Sequence, residues 1–206
     1  MRLLDGAELA LHPPPDFLSD AIRATSDYFE RDILDAIVGR LAAGVAVDGG
    51  AMIGNHTVYL ARHRPELWVH AFEPVPANLA LLRRNVANLE RVTVHPQALS
   101  DEPGRLTMRL EAGNLGHAVV DPAGTLEVEA LTLDSLHLEG LVLLKLDVEG
   151  HEGPALEGSV ATIRRWHPLI LLEDWQLVYA YRLGELGYML ERAWPTQQTY
   201  LYRWVG

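Results

Sequence analysis

The chain contains no cysteine. That absence removes disulfide frameworks, thiolate metal ligands and thiol nucleophiles together, and it leaves the redox compartment unread. There is also no apolar run of about 18 residues and no basic-then-apolar leader, so a cytoplasmic, soluble protein without a membrane span is expected. Basic residues are scarce, with 17 Lys and Arg against 28 Asp and Glu for a formal charge of −11. Phosphate recognition relies on clustered Lys and Arg, and no such cluster occurs. A small neutral or cationic acceptor is therefore expected rather than a nucleic acid. The five tryptophans are scattered and form no stacking platform. No repeat, low-complexity tract or linker interrupts the 206 residues, and 49% hydrophobic residues suits one domain with a sizeable core.

What is present centres on Val45 to Thr57, where a strand, a glycine turn and a helix start follow without a gap. An apolar run ends in Asp48, glycines 49, 50 and 54 let the backbone turn tightly, and Thr57-Val58-Tyr59-Leu60-Ala61 continues at helical spacing. The pattern is D-G-G-x-x-x-G, not the G-x-G-x-x-G of dinucleotide folds. A carboxylate beside the loop repels a pyrophosphate but favours the ammonium and sulfonium of S-adenosylmethionine. Glu73 closes the next apolar run roughly 20 residues after the last glycine, the distance at which an acid reaches both ribose hydroxyls. An NAD-dependent oxidoreductase on a related fold is the alternative, disfavoured by the glycine spacing and Asp48. A non-catalytic domain that keeps the cofactor pocket and serves a partner is a second.

Along the chain, His12-Pro13-Pro14-Pro15 predicts an extended N-terminal arm over residues 1–25. Helical periodicity then runs from Ser26 to Ala43, with Gly44 as a stop. A helix over Asn55 to Arg62, a strand ending at Glu73, and a helix opened by Pro74 and Pro76 follow, and two such units imply a parallel sheet. Arg91 to His95 reads as a third strand with a loop from Pro96 to Asp101 at its end. Residues 102–131 read as a hairpin-like excursion over the site, with Arg105 to Leu110 and Thr125 to Leu131 as strands. Leu141 to Leu146 is a strand buried on both faces. A helix over Glu152 to Arg165, a strand over Pro168 to Leu172 and a helix over Trp175 to Leu186 come next. Tyr188 to Ala193 and Thr199 to Val205 then form an antiparallel pair.

Three segments, VDGGAMIGNHT (47–57), AFEPVPANLALLRRN (71–85) and LKLDVEGHEGPALEG (144–158), resemble the FkbM-type methyltransferases. The likeness runs from about Ile33 to Trp175, and D-V-E-G-H-E is its most specific part. Where the family more often has D-V-G-A, this chain has Asp48-Gly49-Gly50-Ala51, a change expected to alter strand packing rather than ligand chemistry. The resemblance implies a class I Rossmann-like α/β fold, a mostly parallel seven-stranded sheet with a C-terminal antiparallel hairpin and helices on both faces. It also implies S-adenosylmethionine as cofactor and O-methylation of a hydroxyl on a small molecule or sugar, with a homo-oligomer as one way to complete the acceptor pocket.

The expected cofactor contacts are Asp48, Gly50, Met52, Gly54 and Asn55 at the methionine end, Glu73 and Pro74 at the ribose, Ala98 at the adenine, and Asp147 on the rim. Methyl transfer to oxygen is an in-line displacement on a sulfonium, so the protein aligns the nucleophile and removes its proton. Asp147, Glu149 and His151, at the end of the central strand, are the candidate catalytic residues. Asn114 and His117 are candidates for orienting the acceptor. Asp147, Glu149, His151, Glu152, Glu173 and Asp174 have the chemistry to hold a divalent cation, but acids at strand ends more often cap helices or contact ligand, so no metal is assigned. His12, His63, His70, His95, His137 and His167 lack ligand spacing and are expected to be structural.

Overall fold

In the computed structural model, residues 1–111 and 114–206 are described, with all their side chains except those of 114–117. The chain opens with α1 (Phe17–Thr25) and α2 (Arg31–Val38), then β1 (Gly44–Gly49), α3 (Asn55–His63), β2 (Leu67–Phe72), α4 (Pro76–Asn85) and β3 (Val92–His95). Four strands follow, β4 (Ala98–Leu99), β5 (Gly104–Glu111), β6 (Asn114–Val120) and β7 (Leu126–Leu131). β8 (Leu141–Leu146), α5 (Glu152–Glu157), α6 (Val160–Trp166), β9 (Leu169–Glu173), α7 (Ala180–Glu185), β10 (Tyr188–Trp194) and β11 (Thr199–Trp204) complete it.

Seven strands form one sheet in the order β10-β11-β9-β8-β1-β2-β3. β1, β2, β3, β8 and β9 pair in parallel, while β11 runs antiparallel to both β9 and β10. This is the expected mostly parallel sheet with its terminal hairpin. The period-two alternation of each strand feeds two cores. Val47, Leu144, Leu146, Ile170 and Leu172 face α5, α6 and α7. Ala46, Val69, Leu143 and Leu171 face the opposite way, against Ile33 and Ile37 of α2 and Leu60 of α3. The order turns back between β1 and β8, and ligands of open α/β sheets bind beyond the strand ends at such a point.

Several boundaries differ from expectation for identifiable reasons. The N-terminal arm is partly helical, because Asp16 caps α1 by accepting from Ser19 N at 2.9 Å. It is also sewn to the core, with Ala10 N donating to Asn85 Oδ1 at 2.6 Å and His12 Nε2 lying 2.8 Å from Asn78 Oδ1. The single helix expected over Ser26 to Ala43 is confined to α2. The loop expected at Pro96 to Asp101 contains β4, and the excursion holds a third strand, β6. Together these build a second sheet in the order β4-β7-β5-β6 around Met108, Ala118, Val128 and Ala130. The helix over Glu152 to Arg165 is broken in two at Gly158, where an added Cβ would stand 1.9 Å from Ser100 O. The segment from Trp175 becomes helical only at Ala180, because Asp174 draws the amides of Gln176, Val178 and Tyr179 into a loop.

Candidate active site

A cavity of about 560 Å³ opens at the carboxyl ends of β1, β2, β8 and β9. Such a volume lies within the range of small-molecule sites. Phe72, Ala98, Leu99, Met108, Ala118 and Val120 make an apolar side, roofed by Phe17 and Leu18 of α1. Glu73, Asp147, Glu149, His151 and Glu173 make an acidic side.

The glycine loop forms the floor. Gly50 has φ +76°, and a Cβ there would lie 1.7 Å from Asp147 O, so only glycine lets this turn pack on the end of β8. The loop amides are spent internally. Gly50 N and Ala51 N donate to Phe72 O, Met52 N to Glu73 Oε2 at 2.9 Å, and Gly54 N to Ala51 O. Four non-glycine residues at the cavity among those described, Glu30, Met52, Glu149 and Gln198, also hold positive φ, a strain that persists only where the surroundings enforce it. The Gly49 departure acts on packing, as a Cβ there would touch Leu146 and Leu99 side chains near 3.0 and 3.1 Å.

Beneath the floor lies an ion-pair chain whose cation, Lys145, has no role assigned from sequence. Asp48 and Lys145 are register partners on β1 and β8, both turned toward the α3 side. Lys145 Nζ sits 3.1 Å from Asp48 Oδ1 and 3.2 Å from Asp147 Oδ2 and donates to Gly50 O at 3.0 Å. Thr57 of α3 donates to Asp48 Oδ2 at 2.6 Å. Burial alone would raise the Asp48 carboxyl, but Lys145, His56 and Thr57 outweigh it and hold it below the usual carboxylate range. Burial likewise opposes the Lys145 charge, and Asp147 and Asp48 overcome it and hold the ammonium above its ordinary value. Lys145 is thus a fixed cation with committed partners.

Glu73 accepts from Val75 N at 2.7 Å with one oxygen and from Met52 N with the other. It is buried, and desolvation pushes it up to about 7 despite those bonds. His151 Nε2 stands 3.0 Å from Ser100 Oγ, which donates to Asp101 Oδ1 at 3.0 Å. The serine has one proton and an acidic acceptor for it, so Nε2 carries the histidine proton and Nδ1 keeps the lone pair. Burial depresses the imidazole and favours its neutral form, with Asp101 opposing. Glu173 follows Leu172, the register partner of Leu146, so its carboxyl stands beside that of Asp147.

Of the residues expected to hold a cofactor, Gly50, Met52, Asn55, Glu73, Pro74, Ala98 and Asp147 line the cavity. Asp48 and Gly54 do not. Asp48 is fully buried and turned into its ion pair, and Gly54 packs on Leu82. The Asn55 amide is occupied in a two-way exchange with the Phe29 backbone, 3.0 Å each way, which ties the start of α2 to the glycine loop. The candidate catalytic residues Asp147, Glu149 and His151 all reach the cavity. Asn114 and His117 fall on β6, and their side chains lie outside the described residues. Glu152 accepts from Val148 N and Gly150 N and is a loop cap. Among the described residues no group of three or more His, Asp or Glu is arranged for a metal ion, and no helix is long and apolar enough to cross a membrane. Lys145 was legible only as a polar residue in a buried strand, and Glu173 as an acid at a strand end with the chemistry for a cation.

The sheet order, the glycine loop at the switch point and the acid-lined cavity define the class I methyltransferase fold of Rossmann-like type. Residues 48–193 match the model of the methyltransferase FkbM domain, and the chain belongs to that family. It is 28% identical over 141 residues to Methyltransferase 1 of Beauveria bassiana, covering 54% of this chain and 57% of that protein. It is 26% identical over 144 residues to the 2-O-methyltransferase NoeI of Sinorhizobium fredii, covering 59% of each. The crystal structure of an FkbM methyltransferase from Methylobacillus flagellatus superposes with a TM-score of 0.58 at 21% identity, over 81% of this chain and 45% of that one. That likeness shows the fold. The matches span under three-fifths of each relative's length.

Proposed function

We propose that the protein transfers a methyl group from S-adenosylmethionine to a hydroxyl of a small molecule or sugar. The observation that carries the cofactor reading is the state of the glycine loop: the amides of Gly50, Ala51, Met52 and Gly54 are already donated, and the nearby cation, Lys145, is locked to two carboxylates. A pyrophosphate finds little to bind there, and an acidic wall suits a cofactor with a sulfonium and an ammonium. This also argues against an NAD-dependent reading. In the proposed site Glu73 receives the ribose on the acceptor capacity left by Val75 N, Met52 N and Asn78, the Ala98 side takes the adenine, and Asp147 lies between cofactor and acceptor. His151 Nδ1 is a neutral base available to the acceptor proton. The 2-O-methyltransferase relative supports oxygen as the acceptor atom.

Calorimetric titration with S-adenosylhomocysteine beside NAD tests the reading, with binding of the first alone expected. Glu73→Ala is expected to weaken that binding by more than about tenfold, since each hydrogen bond to a carboxylate is worth about 1.5–3 kcal/mol. The bonds favour the ionised form of a group that titrates near 7. Affinity should therefore rise as pH increases through about 7 and level off above it. Unchanged affinity in Glu73→Ala, with an intact urea transition, removes the ribose assignment.

A further inference from the structure

Among the described residues five carboxyl groups line the cavity, and three of them are accounted for or set apart. Glu73 is tied to two backbone amides, Glu30 lies 3.2 Å from His56 Nε2, and Glu149 sits on the loop beyond Asp147 at positive φ. Asp147 and Glu173 remain, side by side at the ends of adjacent parallel strands. Their carboxyls are close enough to share a hydrogen bond. Asp147 already receives Lys145 on Oδ2, while Glu173 Oε2 is buried and no donor among the described residues reaches it. Two carboxylates in contact cannot both stay charged without a cation between or beside them.

The groups facing Glu173 come from every element around it. Asp147 and Lys145 come from the β8 side, Glu149 and Glu152 from the following loop and α5, and Glu30 and His56 from across a small recess behind the cavity. Asp174, next in the chain, turns away to cap the loop before α7. Burial first, then the charges of Asp147 and Glu149, hold the Glu173 carboxyl well above the usual carboxylate range. At neutral pH without ligand the pair therefore carries one proton. Among the described residues, Lys145 is the ammonium beside the pair, and it is shared between Asp48 and Asp147.

We propose that Glu173, paired with Asp147, releases one proton when the sulfonium form of the cofactor binds and retains it beside the neutral thioether product. The inference rests on the cofactor reading above. A positive charge entering the acidic end supplies what the second carboxylate lacks, whereas a thioether supplies nothing. Glu173 thus separates the methylated from the spent cofactor by charge. It also closes the proton balance of a turnover. The acceptor O–H bond and the methyl C–S bond break and a C–O bond forms, the C–S electron pair stays on sulfur, and the proton first taken by His151 passes on to Glu173, whose O–H bond re-forms once the sulfonium charge is gone.

The test is calorimetric titration with S-adenosylmethionine and with S-adenosylhomocysteine at several pH values, in buffers of different ionisation heat. Both ligands carry the same ribose and amino-acid end, so effects at Glu73 cancel in the comparison. Wild type should release about one proton more with the sulfonium ligand, and its preference for that ligand should rise about tenfold per pH unit near neutrality. Glu173→Gln should keep S-adenosylhomocysteine affinity, which reports an intact site, and lose both the extra proton and the pH slope. Equal proton release for the two ligands in wild type overturns the proposal without any variant. Persistence of the difference in Glu173→Gln overturns the assignment to Glu173. Binding of neither ligand removes the cofactor reading itself, and the proposal with it.

Discussion

Replacing Lys145 by Met is expected to destabilise the fold by about 3–5 kcal/mol, the cost of leaving a buried charge without its partner. Asp48 is fully buried, and Lys145 is the cation beside it. The pH dependence gives the prediction its sign. In wild type the Asp48 carboxyl is depressed and the Lys145 ammonium raised. The Asp48 contribution is present above the unfolded value of about 3.9 and lost as pH falls; the Lys145 contribution is present below about 10.4 and lost as pH rises past its folded value. The pair therefore stabilises the fold across neutrality. In the variant, burial dominates and Asp48 prefers its proton, so stability declines as pH rises above about 3.9. Urea midpoints should differ more at pH 8 than at pH 4.5, and Asp48→Asn in the same background should recover part of the loss. A gap that is small, or equal at both pH values, would show that Asp48 is solvated in a way the buried pair does not allow.

Gly50→Ala is expected to abolish cofactor binding, with S-adenosylhomocysteine affinity reduced at least about 100-fold, because the floor of the cavity must shift. Left-handed backbone costs alanine about 1–2 kcal/mol. The larger effect is steric, since the new Cβ would lie 1.7 Å from Asp147 O and 2.8 Å from its carbonyl carbon. Both are backbone atoms of the β8 end, so relief comes only by separating the glycine loop from the strand that carries Asp147, a displacement that also breaks the Lys145 contact to Gly50 O. Gly39→Ala is the control. That glycine follows α2 with φ −68°, and a Cβ there meets nothing within 4 Å. It should leave binding unchanged and stability level or slightly higher. Binding equal to wild type in Gly50→Ala would mean that the loop moves without affecting the site.

Local pattern carried much of the architecture. Four of the five parallel strands, β1, β2, β8 and β9, are short apolar runs ended by Asp48, Glu73, Asp147 or Glu173, and a strand end with an acid reads the same alone or in a sheet. Element boundaries failed where a distant group decided them. The helix expected over Glu152 to Arg165 is interrupted at Gly158, where Ser100 O from far back in the chain lies too close for any Cβ. Strand β6 forms beside β5 from a stretch whose composition suggests only turns, since pairing overrode local preference. The site residues divide the same way. Glu73, Asp147 and His151 line the cavity, as position at or just beyond a strand end predicts. Asp48 was expected to face a ligand and instead faces Lys145, because the two are register neighbours on strands far apart in the chain.

By itself, then, the order of motifs determined the family, the glycine turn and the rim on which the acids gather, because each depends on residues within a few positions of one another. Only the tertiary structure decided which of those acids is paired beneath the floor and which faces the cavity. Side-chain direction and charge state are set by partners on neighbouring strands, and the strength of a carboxylate's interaction depends on how far water is excluded from it.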